Sequence, residues 1–456
     1  MESFSEILSE ISDFVWGPPL LILLVGTGIF LSLRLSFLQF SQLPFALKTA
    51  FSLKQDKRSV GDISHFQSLM TALAATIGTG NIAGVATAVV AGGPGAIFWM
   101  WVTAIFGMAT KYAEAILAVK YRVMGKRGEM AGGPMYYIER GLGWKWLAVL
   151  FAFFGSIAAF GIGSMVQSNS VAASIESSFG INPWITGIVL TAITGIVIVG
   201  GIKSIGRAAG YLVPFMAVLY VAGGMAIILL NIEELPSVIK LIFTDAFTGQ
   251  AIAGGAIGTV IRYGVARGVF SNEAGMGSAP IAAAAAITDH PGRQALVSMT
   301  GTFLDTIIVC SITGVGLVMG GIYMDSDLTG AALTTETFNS LLPGPGGWIV
   351  TFGLILFAYS TVLGWSYYGE KCFEYLFGSQ AIPAYRVVFT LSVLVGAGLN
   401  LTVVWSIADI FNGLMAIPNL IGLIGLSGVV VAETKAFTNI IRNEKRSLKN
   451  NAVSPN

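Results

Sequence analysis

The chain carries long apolar stretches, and they constrain its fold more than any other feature of the sequence. A helix needs about 20 residues to cross about 30 Å of hydrocarbon, whereas a barrel strand needs only about 9–11. Inside hydrocarbon every backbone amide and carbonyl needs a partner within the protein, which leaves helices and closed barrels as the two solutions. The lengths of the stretches match helices, so the sequence predicts an all-α integral membrane protein.

Eleven transmembrane helices are predicted, and the seventh stretch is interrupted by polar residues. The spans cover residues 17–39, 66–89, 94–120, 145–175, 181–201, 209–231, 252–287, 291–322, 347–369, 382–400 and 403–433. The composition agrees, because 54% of the residues are hydrophobic and 11% are charged, whereas soluble domains have roughly 25% charged residues. A net charge of +1 gives no basis for binding nucleic acid. The predicted surroundings are the lipids of the cell membrane.

Basic residues fall in alternate loops of this arrangement. One side, which includes the C-terminal tail, holds Lys48, Lys54, Lys57, Arg58, Lys120, Arg122, Lys126, Arg127, Arg140, Lys145, Lys203, Arg207, Arg293, Lys371, Arg386, Lys435, Arg442, Lys445, Arg446 and Lys449. The other side holds mostly acidic residues, namely Glu233, Glu234, Asp245, Asp325, Asp327 and Glu336, with Lys240. Cytoplasmic loops carry the excess of Lys and Arg, so the N-terminus is predicted outside and the C-terminus in the cytoplasm. The acidic, amphipathic N-terminal segment lacks the basic start of a cleavable signal peptide.

Two of the predicted spans are interrupted by polar, glycine-rich segments. Span 2 contains "AATIGTGNIAG" at 74–84, with a break expected near Gly78 to Asn81, and span 7 contains "VFSNEAGMGSAP" at 269–280, with a break near Ser271 to Gly277. An interrupted helix exposes amides and carbonyls, which survive at membrane depth only when they are buried or line a polar cavity. Close helix packing through glycine is the alternative explanation for either segment alone.

The spacing of the breaks predicts an inverted repeat. Spans 2–6 and 7–11 form two sets of five, and an odd number of spans inserts the second set upside down. The predicted regions are an N-terminal segment 1–60 with one extra helix, repeats 61–231 and 250–433, and a cytoplasmic tail 434–456. Interrupted helices at matching positions of inverted halves are typical of transporters with a midplane site. Half-helix N-termini favour an anionic group and the opposite ends favour a cation, so an amino acid with Na⁺ fits.

Other classes of function fit the sequence less well. A channel or a non-transporting receptor is the alternative class. A channel favours a symmetric oligomer with a pore-lining loop, whereas inverted halves place the path inside one subunit. A membrane enzyme needs clustered catalytic side chains, and the sequence has no Ser/His/Asp triad, phosphate loop or metal-ligand motif. Cys310 and Cys372 give no disulfide framework, and His65 and His290 are expected at loops or helix ends.

Three strings in the sequence carry a family resemblance. They are "TALAATIGTGNIAGVATAVVAGGPGAIFWMW" at 71–101, "AGGPMYYIERGLG" at 131–143 and "RYGVARGVFSNEAGMGSAPIAAAA" at 262–285. Together they resemble the alanine/glycine:cation symporter family, also called sodium:alanine symporters, and "GTGN" with "GGPGA" resembles the first broken helix of the leucine-transporter fold. The resemblance implies Na⁺-coupled uptake of alanine, glycine and D-alanine by alternating access, with Na⁺ as a co-transported ion, and H⁺ coupling as the alternative. The string at 131–143 is expected to form a short interfacial helix near the inner gate.

The resemblance implies a substrate site between the two breaks. The amides of Thr79 and Gly80 would hold the substrate carboxylate, and the carbonyl of Thr76 would face its ammonium group. The second break would contribute further ammonium contacts and a pocket wall, from Phe270, Ser271, Asn272 and Met276.

The resemblance also implies a Na⁺ site between spans 2 and 9. It would consist of the hydroxyls of Ser360 and Thr361 with the carbonyls of Phe357, Ala74 and Ile77. Neutral oxygens suit Na⁺, since hard cations prefer oxygen ligands. The alternative is that both hydroxyls hydrogen-bond only within their own helix.

Three further side chains are candidate substrate contacts. Gln167 and Asn169 are polar residues in an apolar span, and they lie about 200° apart on a regular helix, so both reach one site only if that helix is distorted. Trp365 shares a helix face with Thr361 and could close the pocket over a small side chain. Contacts between helices for the two amides, and a lipid-facing position for the tryptophan, are the alternatives.

The remaining candidates concern gating and coupling. Asn81 either coordinates a cation or caps the outer half-helix. Glu273 is an acid within the membrane, which by default suggests function: it could pair with Arg267, bind a cation or carry the proton of the H⁺-coupled alternative. Asp409 is expected to pair with Arg262 or Arg267 as an outer gate.

Overall fold

The computed structural model describes residues 2–52, 59–247, 256–324, 327–399 and 402–453. The predicted loop residues Lys54, Lys57, Arg58 and Asp325, and the first four residues of span 7, lie outside this part of the chain. The described residues are nearly all helical.

The helices of the first half are α1 (Glu2–Val15), α2 (Pro18–Arg34), α3 (Leu38–Ser41), α4 (Leu43–Ala50), α5 (His65–Thr76), α6 (Ala83–Gly92), α7 (Gly95–Lys120), α8 (Pro134–Tyr137), α9 (Lys145–Ala158), α10 (Val166–Phe179), α11 (Pro183–Val199), α12 (Gly201–Leu230) and α13 (Leu235–Asp245). Those of the second half are α14 (Ala256–Asn272), α15 (Ala279–Ala284), α16 (Pro291–Thr302), α17 (Ser311–Gly320), α18 (Gly330–Leu341), α19 (Pro345–Phe377), α20 (Ile382–Gly398), α21 (Thr402–Gly425) and α22 (Ser427–Val453). Short 3₁₀ turns lie at Thr79–Asn81, Ile232–Glu234, Ile322–Met324 and Ser379–Ala381, and π-helical segments at Ile138–Leu142, Ala159–Met165 and Phe303–Cys310. Strands β1 (Val123–Met124) and β2 (Met130–Ala131) pair antiparallel.

Within the described residues, 8 helices are long and apolar enough to cross a membrane, and 9 if the bent pair α5–α6 is one span. The eight are Ser5–Arg34, Gly95–Lys120, Lys145–Phe179, Gly201–Leu230, Pro291–Gly320, Pro345–Phe377, Ser379–Gly398 and Val403–Gly425. Helix α11 is apolar but has only 17 residues, and span 7 is divided into α14 and α15. These membrane helices bear out the all-α membrane protein, while the count of eleven and the inverted repeat stay predictions.

The first break lies where the glycine-rich segment of span 2 predicts it. Helix α5 starts at a capping box, in which Ser64 and Gln67 satisfy each other's backbone amides, and it ends at Thr76. A single 3₁₀ turn follows at Thr79–Asn81, and the two halves of the span are bent by 63°. The carbonyls at the end of α5 are therefore left without the amides of a continuing helix.

The second break separates α14 from α15 at 273–278. Its backbone has positive φ at Glu273 (55°), Gly275 (89°) and Gly277 (84°), a conformation that glycine adopts most readily. A Cβ atom on Gly277 would lie 2.7 Å from both Phe151 and Pro134. The glycines are needed both for the turn and for the close packing around it.

Small residues bring the surrounding helices close to the breaks. Gly364 in α19 lies directly against the backbone of α5, because a Cβ atom there would be 2.6 Å from the amide nitrogen of Ala75. Gly163, in the π-helical segment before α10, packs in the same way against Trp365 of α19. Close approach through small residues is the usual way in which membrane helices pack, and here it places α19 beside the first break.

Most of residues 131–138 are buried, whereas Arg140 and Gly143 at the end of the segment are exposed. Met135, Tyr137 and Ile138 are fully buried, and a Cβ atom on Gly133 would lie 2.7 Å from Ile281 in α15. Apolar side chains and the glycine pair allow the segment to fit beneath the second break. The expected contact with the region below the site is therefore present, but inside the protein.

Candidate functional site

Two hydroxyls of α19 meet the end of α5 at the first break. The Ser360 hydroxyl oxygen lies 3.1 Å from the carbonyl oxygen of Ala74, 3.4 Å from that of Ile77 and 2.8 Å from that of Phe357. The Thr361 hydroxyl oxygen lies 3.2, 3.4 and 3.0 Å from the same three carbonyl oxygens. The structure thus brings together all the oxygens that the family resemblance implies for a Na⁺ site. The bond within α19 exists as well, but it accounts for only the Phe357 contact.

The break itself shapes this group of oxygens. Gly78 lies so close to α19 that a Cβ atom there would be 2.5 Å from the Thr361 hydroxyl oxygen. Its amide donates to the side-chain oxygen of Asn81 at 2.9 Å, so Asn81 caps the break. Among the described residues, no three His, Cys, Asp or Glu side chains converge as ligands for a metal ion. The group at the first break consists of neutral oxygens, three from carbonyls and two from hydroxyls.

One predicted substrate residue of span 2, Thr79, lines a cavity of about 540 Å³. Serines of α10 also line it, together with Thr335 and Thr351 from α18 and α19. The first amides of a helical turn have no partner within that turn, so the amides of Thr79 and Gly80 are the donors available there. In the predicted orientation, this cavity opens to the outside.

Gln167 and Asn169 face different partners. The Gln167 side-chain nitrogen donates to the Thr79 hydroxyl at 3.3 Å and to the Ile162 carbonyl at 3.1 Å, and its Oε1 is buried without a hydrogen-bond partner. Asn169 instead donates to the carbonyls of Gly396 at 3.1 Å and Leu399 at 3.0 Å. The π-helical segment before α10 does not turn both amides to one site, so only Gln167 reaches the first break. Asn169 holds the end of α20 and also lines the 540 Å³ cavity beside Thr79, so its substrate contact stays a prediction.

Side chains of both breaks bind Asp305, a residue that the sequence analysis did not identify. The Ser271 hydroxyl lies 3.0 Å from Asp305 Oδ2, and Asn81 donates to Asp305 Oδ1 at 2.6 Å. Asn272 donates to the Thr306 hydroxyl at 3.2 Å and accepts from the Ala274 amide at 2.9 Å. Asp305 is fully buried and joins the two breaks. An acid within span 8 was the signal that could have identified it.

Glu273 makes contacts other than the predicted pair with Arg267. The Ser278 hydroxyl donates to its Oε2 at 2.5 Å and the Trp365 indole donates to its Oε1 at 3.0 Å. Buried Lys111 in α7 is the cation that acts on it electrostatically. The predicted pair with Arg267 is not formed, because Ser278 and Trp365 occupy the two carboxylate oxygens of Glu273. Trp365, only 2% exposed, does not face lipid.

The other predicted pocket residues differ in burial and in the contacts they make. Met276 is buried, whereas Phe270 is half-buried and packs on the first break, because a Cβ atom on Gly80 would lie 3.2 Å from its ring. Thr76 donates its hydroxyl to the Ala72 carbonyl at 2.7 Å.

A second acid that the sequence reading missed holds the amides of the second break. Glu114 in α7 accepts from the amides of Gly275 and Gly277, each at 3.1 Å, and from the side chain of Asn419 at 2.7 Å. Asn419 also donates to the Gly275 carbonyl at 2.8 Å and hydrogen-bonds to Tyr137 of the segment 131–143. Glu114 thus accepts hydrogen bonds from the amides that the interruption leaves without helical partners.

The predicted outer gate has different partners. Arg262 pairs with Asp13 of α1 at 2.6 Å, and Asp409 forms no ion pair with either arginine. Asp409 instead accepts from the Trp16 indole at its backbone carbonyl, at 3.0 Å. Helix α1, whose role the sequence did not reveal, covers this side of the site.

Known proteins resemble this chain over most of its length. The profile of the sodium:alanine symporter family matches residues 1–451. The chain is 63% identical to the sodium/alanine symporter AgcS of Methanococcus maripaludis, over 97% of this chain and 99% of the relative. It is 37% identical to the amino-acid carrier protein AlsT of Bacillus subtilis, over 98% of this chain and 95% of the relative. The crystal structure of MhsT in complex with L-phenylalanine superposes with a TM-score of 0.61 at 16% identity, covering 82% of this chain and 92% of MhsT, which shows a shared fold.

Proposed function

The chain belongs to the sodium:alanine symporter family, and from this premise we propose that it carries alanine into the cell together with Na⁺ by alternating access. Its membrane helices and its family make it a multi-pass membrane transporter and not an enzyme. The observation that carries the proposal is the convergence of the Ser360 and Thr361 hydroxyls on the carbonyls of α5.

The Na⁺ ion would bind among the oxygens of Ala74, Ile77, Phe357, Ser360 and Thr361. Each hydroxyl turns its lone pairs to the ion when the ion replaces its hydrogen-bonded contacts. A neutral cage does not hold the ion by a full opposite charge, so the ion can leave on the cytoplasmic side.

The amino acid would bind on the outer side of the same break. The amides of Thr79 and Gly80 receive its carboxylate, since the start of a helical turn favours negative charge. Gln167 stands beside Thr79, with a free acceptor for an N–H group. The ammonium group would face the Thr76 carbonyl and the backbone of Phe270 and Ser271. The half-buried ring of Phe270 limits the space, which favours alanine, glycine and D-alanine.

Coupling follows from the shared break. An ion held between α5 and α19 stabilises the bend that also presents the Thr79 and Gly80 amides. Each ligand therefore favours the same conformation, and each raises the affinity for the other. Glu114, Asn419 and Tyr137 would keep the cytoplasmic side of the second break closed until both ligands are bound.

The H⁺-coupled alternative is not favoured, because the family and the similar symporter are both named for sodium. The Glu273 carboxylate is already engaged by Ser278 and Trp365, which gives it a structural part in the second break. The eleven spans in inverted sets of five, the outside N-terminus and the cytoplasmic C-terminus belong to the same proposal, because they place the 540 Å³ cavity on the outer side.

Radiolabelled L-alanine uptake into proteoliposomes tests the proposal. An inward Na⁺ gradient should drive accumulation, whereas an equal K⁺ gradient or an imposed pH gradient should not. Uptake driven by the pH gradient alone would return the coupling role to Glu273. If folded protein gives no uptake under any gradient, alanine is not its substrate.

A further inference from the structure

We propose that a cavity along the C-terminal helix α22 binds one anionic phospholipid, with an acyl chain inside the cavity and the phosphate group on Arg442. Neither Na⁺ nor the transported amino acid uses this place, since none of the residues that line it belongs to either break. The lipid would come from the leaflet on the side predicted to be cytoplasmic.

The cavity has a volume of about 530 Å³, which lies within the range of roughly 300–1,000 Å³ that is usual for ligand pockets. It is enclosed by the chain that follows α2, by α7 and α16, and by one face of α22. Leu35, Leu296, Phe437 and Ile441 are among the apolar residues that line it. These side chains offer an acyl chain the apolar surroundings that it needs.

The lining changes from apolar at the floor to polar at the mouth. Leu296 and Phe437 are each only 2% exposed and form the floor. Ser41, Thr438 and Arg442 are exposed, and they form the mouth. A phospholipid has the same order of groups, because its chains are apolar and its phosphate is charged.

The position of the cavity favours a lipid over a soluble molecule. Helix α22 lies at the level where two membrane helices end, because Arg34 of α2 and Lys120 of α7 both contact it. Beside the cavity, Phe37 and Phe40 are 40% and 58% exposed, and their rings stack at 6.3 Å. Exposed phenylalanines are typical of helical segments that lie at the lipid surface. The mouth of the cavity is therefore placed where lipid headgroups meet water.

The charge at the mouth selects an anionic headgroup. Both acids of α22 are paired with other helices, Glu433 with Lys120 and Glu444 with Arg293. Among the described residues, no acid pairs with Arg442, so its guanidinium group can bind a phosphate. Three more basic residues follow it along α22, namely Lys445, Arg446 and Lys449. Basic clusters just beyond a membrane helix are typical of sites for anionic lipids.

A buried hydroxyl group is a second sign of a ligand. Tyr112 of α7 lines the cavity, and its hydroxyl is buried without a hydrogen-bond partner among the described residues. The hydroxyls of Thr434 and Thr438 instead donate to carbonyls of α22 itself, at 2.7 and 2.8 Å. A buried donor without an acceptor is costly. An ester carbonyl of a phospholipid would accept a hydrogen bond from Tyr112.

A lipid bound here would hold the chain after α2 against α22. The turn between α2 and α3 has positive φ at Ser36 (55°) and Phe37 (52°), a conformation that residues other than glycine rarely adopt. The turn therefore depends on its neighbours to keep its shape, and the acyl chain would be one of them. Because the lipid binds only the folded protein, it should also raise the unfolding temperature.

Equilibrium binding of radiolabelled dioleoylphosphatidylglycerol to the purified full-length protein in detergent tests the inference. The wild-type protein should bind one molecule per chain, roughly 10-fold more tightly than dioleoylphosphatidylcholine, which has the same acyl chains. Excess inorganic phosphate should not displace it. Arg442→Gln should bind the two lipids equally, because it loses the contact with the anionic headgroup. Thr438→Trp should weaken binding of both lipids, because the indole fills the mouth.

Two matched controls are available outside the cavity. Arg207 and Asn439 are exposed and do not line it, so Arg207→Gln and Asn439→Trp should bind both lipids as the wild-type protein does. A loss of the preference for the anionic lipid in Arg207→Gln would show that general surface charge is responsible, which would overturn the inference.

Thermal unfolding of the same proteins gives a second measurement. Dioleoylphosphatidylglycerol should raise the unfolding temperature of the wild-type protein and of both controls more than dioleoylphosphatidylcholine does, and Arg442→Gln should remove this difference. Equal binding of the two lipids to the wild-type protein, an unchanged preference in Arg442→Gln, or undiminished binding to Thr438→Trp would each overturn the inference. Displacement by inorganic phosphate would do so as well, because it would identify a soluble anion as the ligand.

Discussion

Replacing Thr361 by valine tests the proposed Na⁺ cage most directly. Valine has the shape of threonine without its hydroxyl, so the packing of α19 against α5 is kept. The Thr361 hydroxyl oxygen lies 3.0–3.4 Å from three carbonyl oxygens. Ser360 contacts the same three carbonyls at 2.8–3.4 Å, so the backbone should stay satisfied and the protein should remain folded.

The expected loss is that of one oxygen ligand to a charged ion. A hydrogen bond to a charged group contributes about 1.5–3 kcal/mol, and by analogy the Na⁺ concentration for half-maximal uptake should rise roughly 10- to 100-fold. Uptake at saturating Na⁺ should approach the wild-type rate, because the substrate contacts are intact. Initial rates of alanine uptake over a range of Na⁺ concentrations measure both quantities.

Thr390→Val is the matched control, because the Thr390 hydroxyl bonds only to the Arg386 carbonyl of its own helix, at 2.7 Å. It should leave the Na⁺ dependence unchanged. The reasoning would be refuted by Thr361→Val protein that elutes as a folded species and keeps the wild-type Na⁺ dependence. A reduced maximal rate with unchanged Na⁺ dependence would place Thr361 in the transport step rather than at the ion.

Three further predictions concern the supports of the site. Gly364→Ala should destabilise the protein by about 1–3 kcal/mol and weaken Na⁺ binding, because its Cβ would lie 2.6 Å from the Ala75 amide nitrogen. Thermal unfolding measures the first effect, and uptake over a range of Na⁺ concentrations measures the second. Gly428→Ala is the control, because a Cβ atom there meets open space, and it should change neither quantity. Glu114→Gln should lower the unfolding temperature and slow uptake, because the glutamine nitrogen meets no acceptor where Glu114 Oε2 is buried without a partner; unchanged values would show that the second break is held otherwise. Asp305→Asn should raise the KM for alanine roughly 10- to 100-fold, since it loses the charge that joins Asn81 to Ser271. Asp289→Asn, which changes a carboxylate paired with Arg293 away from both breaks, should not.

Local sequence patterns predicted where the two membrane helices are interrupted. Glycine and polar residues in an apolar stretch located both breaks, whereas the cage oxygens of Phe357, Ser360 and Thr361 were implied by the family resemblance. Their meeting with Ala74 and Ile77 came from the family resemblance and not from spacing, because it depends on how α19 crosses α5.

The partners of buried charges were the part that could not be predicted. Glu273 lies six residues from Arg267 along the chain, yet its carboxylate accepts hydrogen bonds from Ser278 and Trp365. Asp305 and Glu114 reach the breaks from helices distant in sequence. The direction of each side chain depends on π-helical segments and turns, which composition and periodicity do not reveal.

The contact of Gly364 with the backbone of Ala75 fixes more than the position of a helix. Two of the cage carbonyls belong to Ala74 and Ile77, on either side of that contact, and the two hydroxyls belong to the helix that makes it. The spacing of the oxygens is thus set by the contact between the backbones of α19 and α5. A change of side-chain rotamer cannot widen this spacing. Cavity size and the number of ligand oxygens both govern ion selectivity, so this contact limits the radius of the ion that fits between the oxygens. Li⁺ could therefore replace Na⁺ in driving transport, and the larger K⁺ could not.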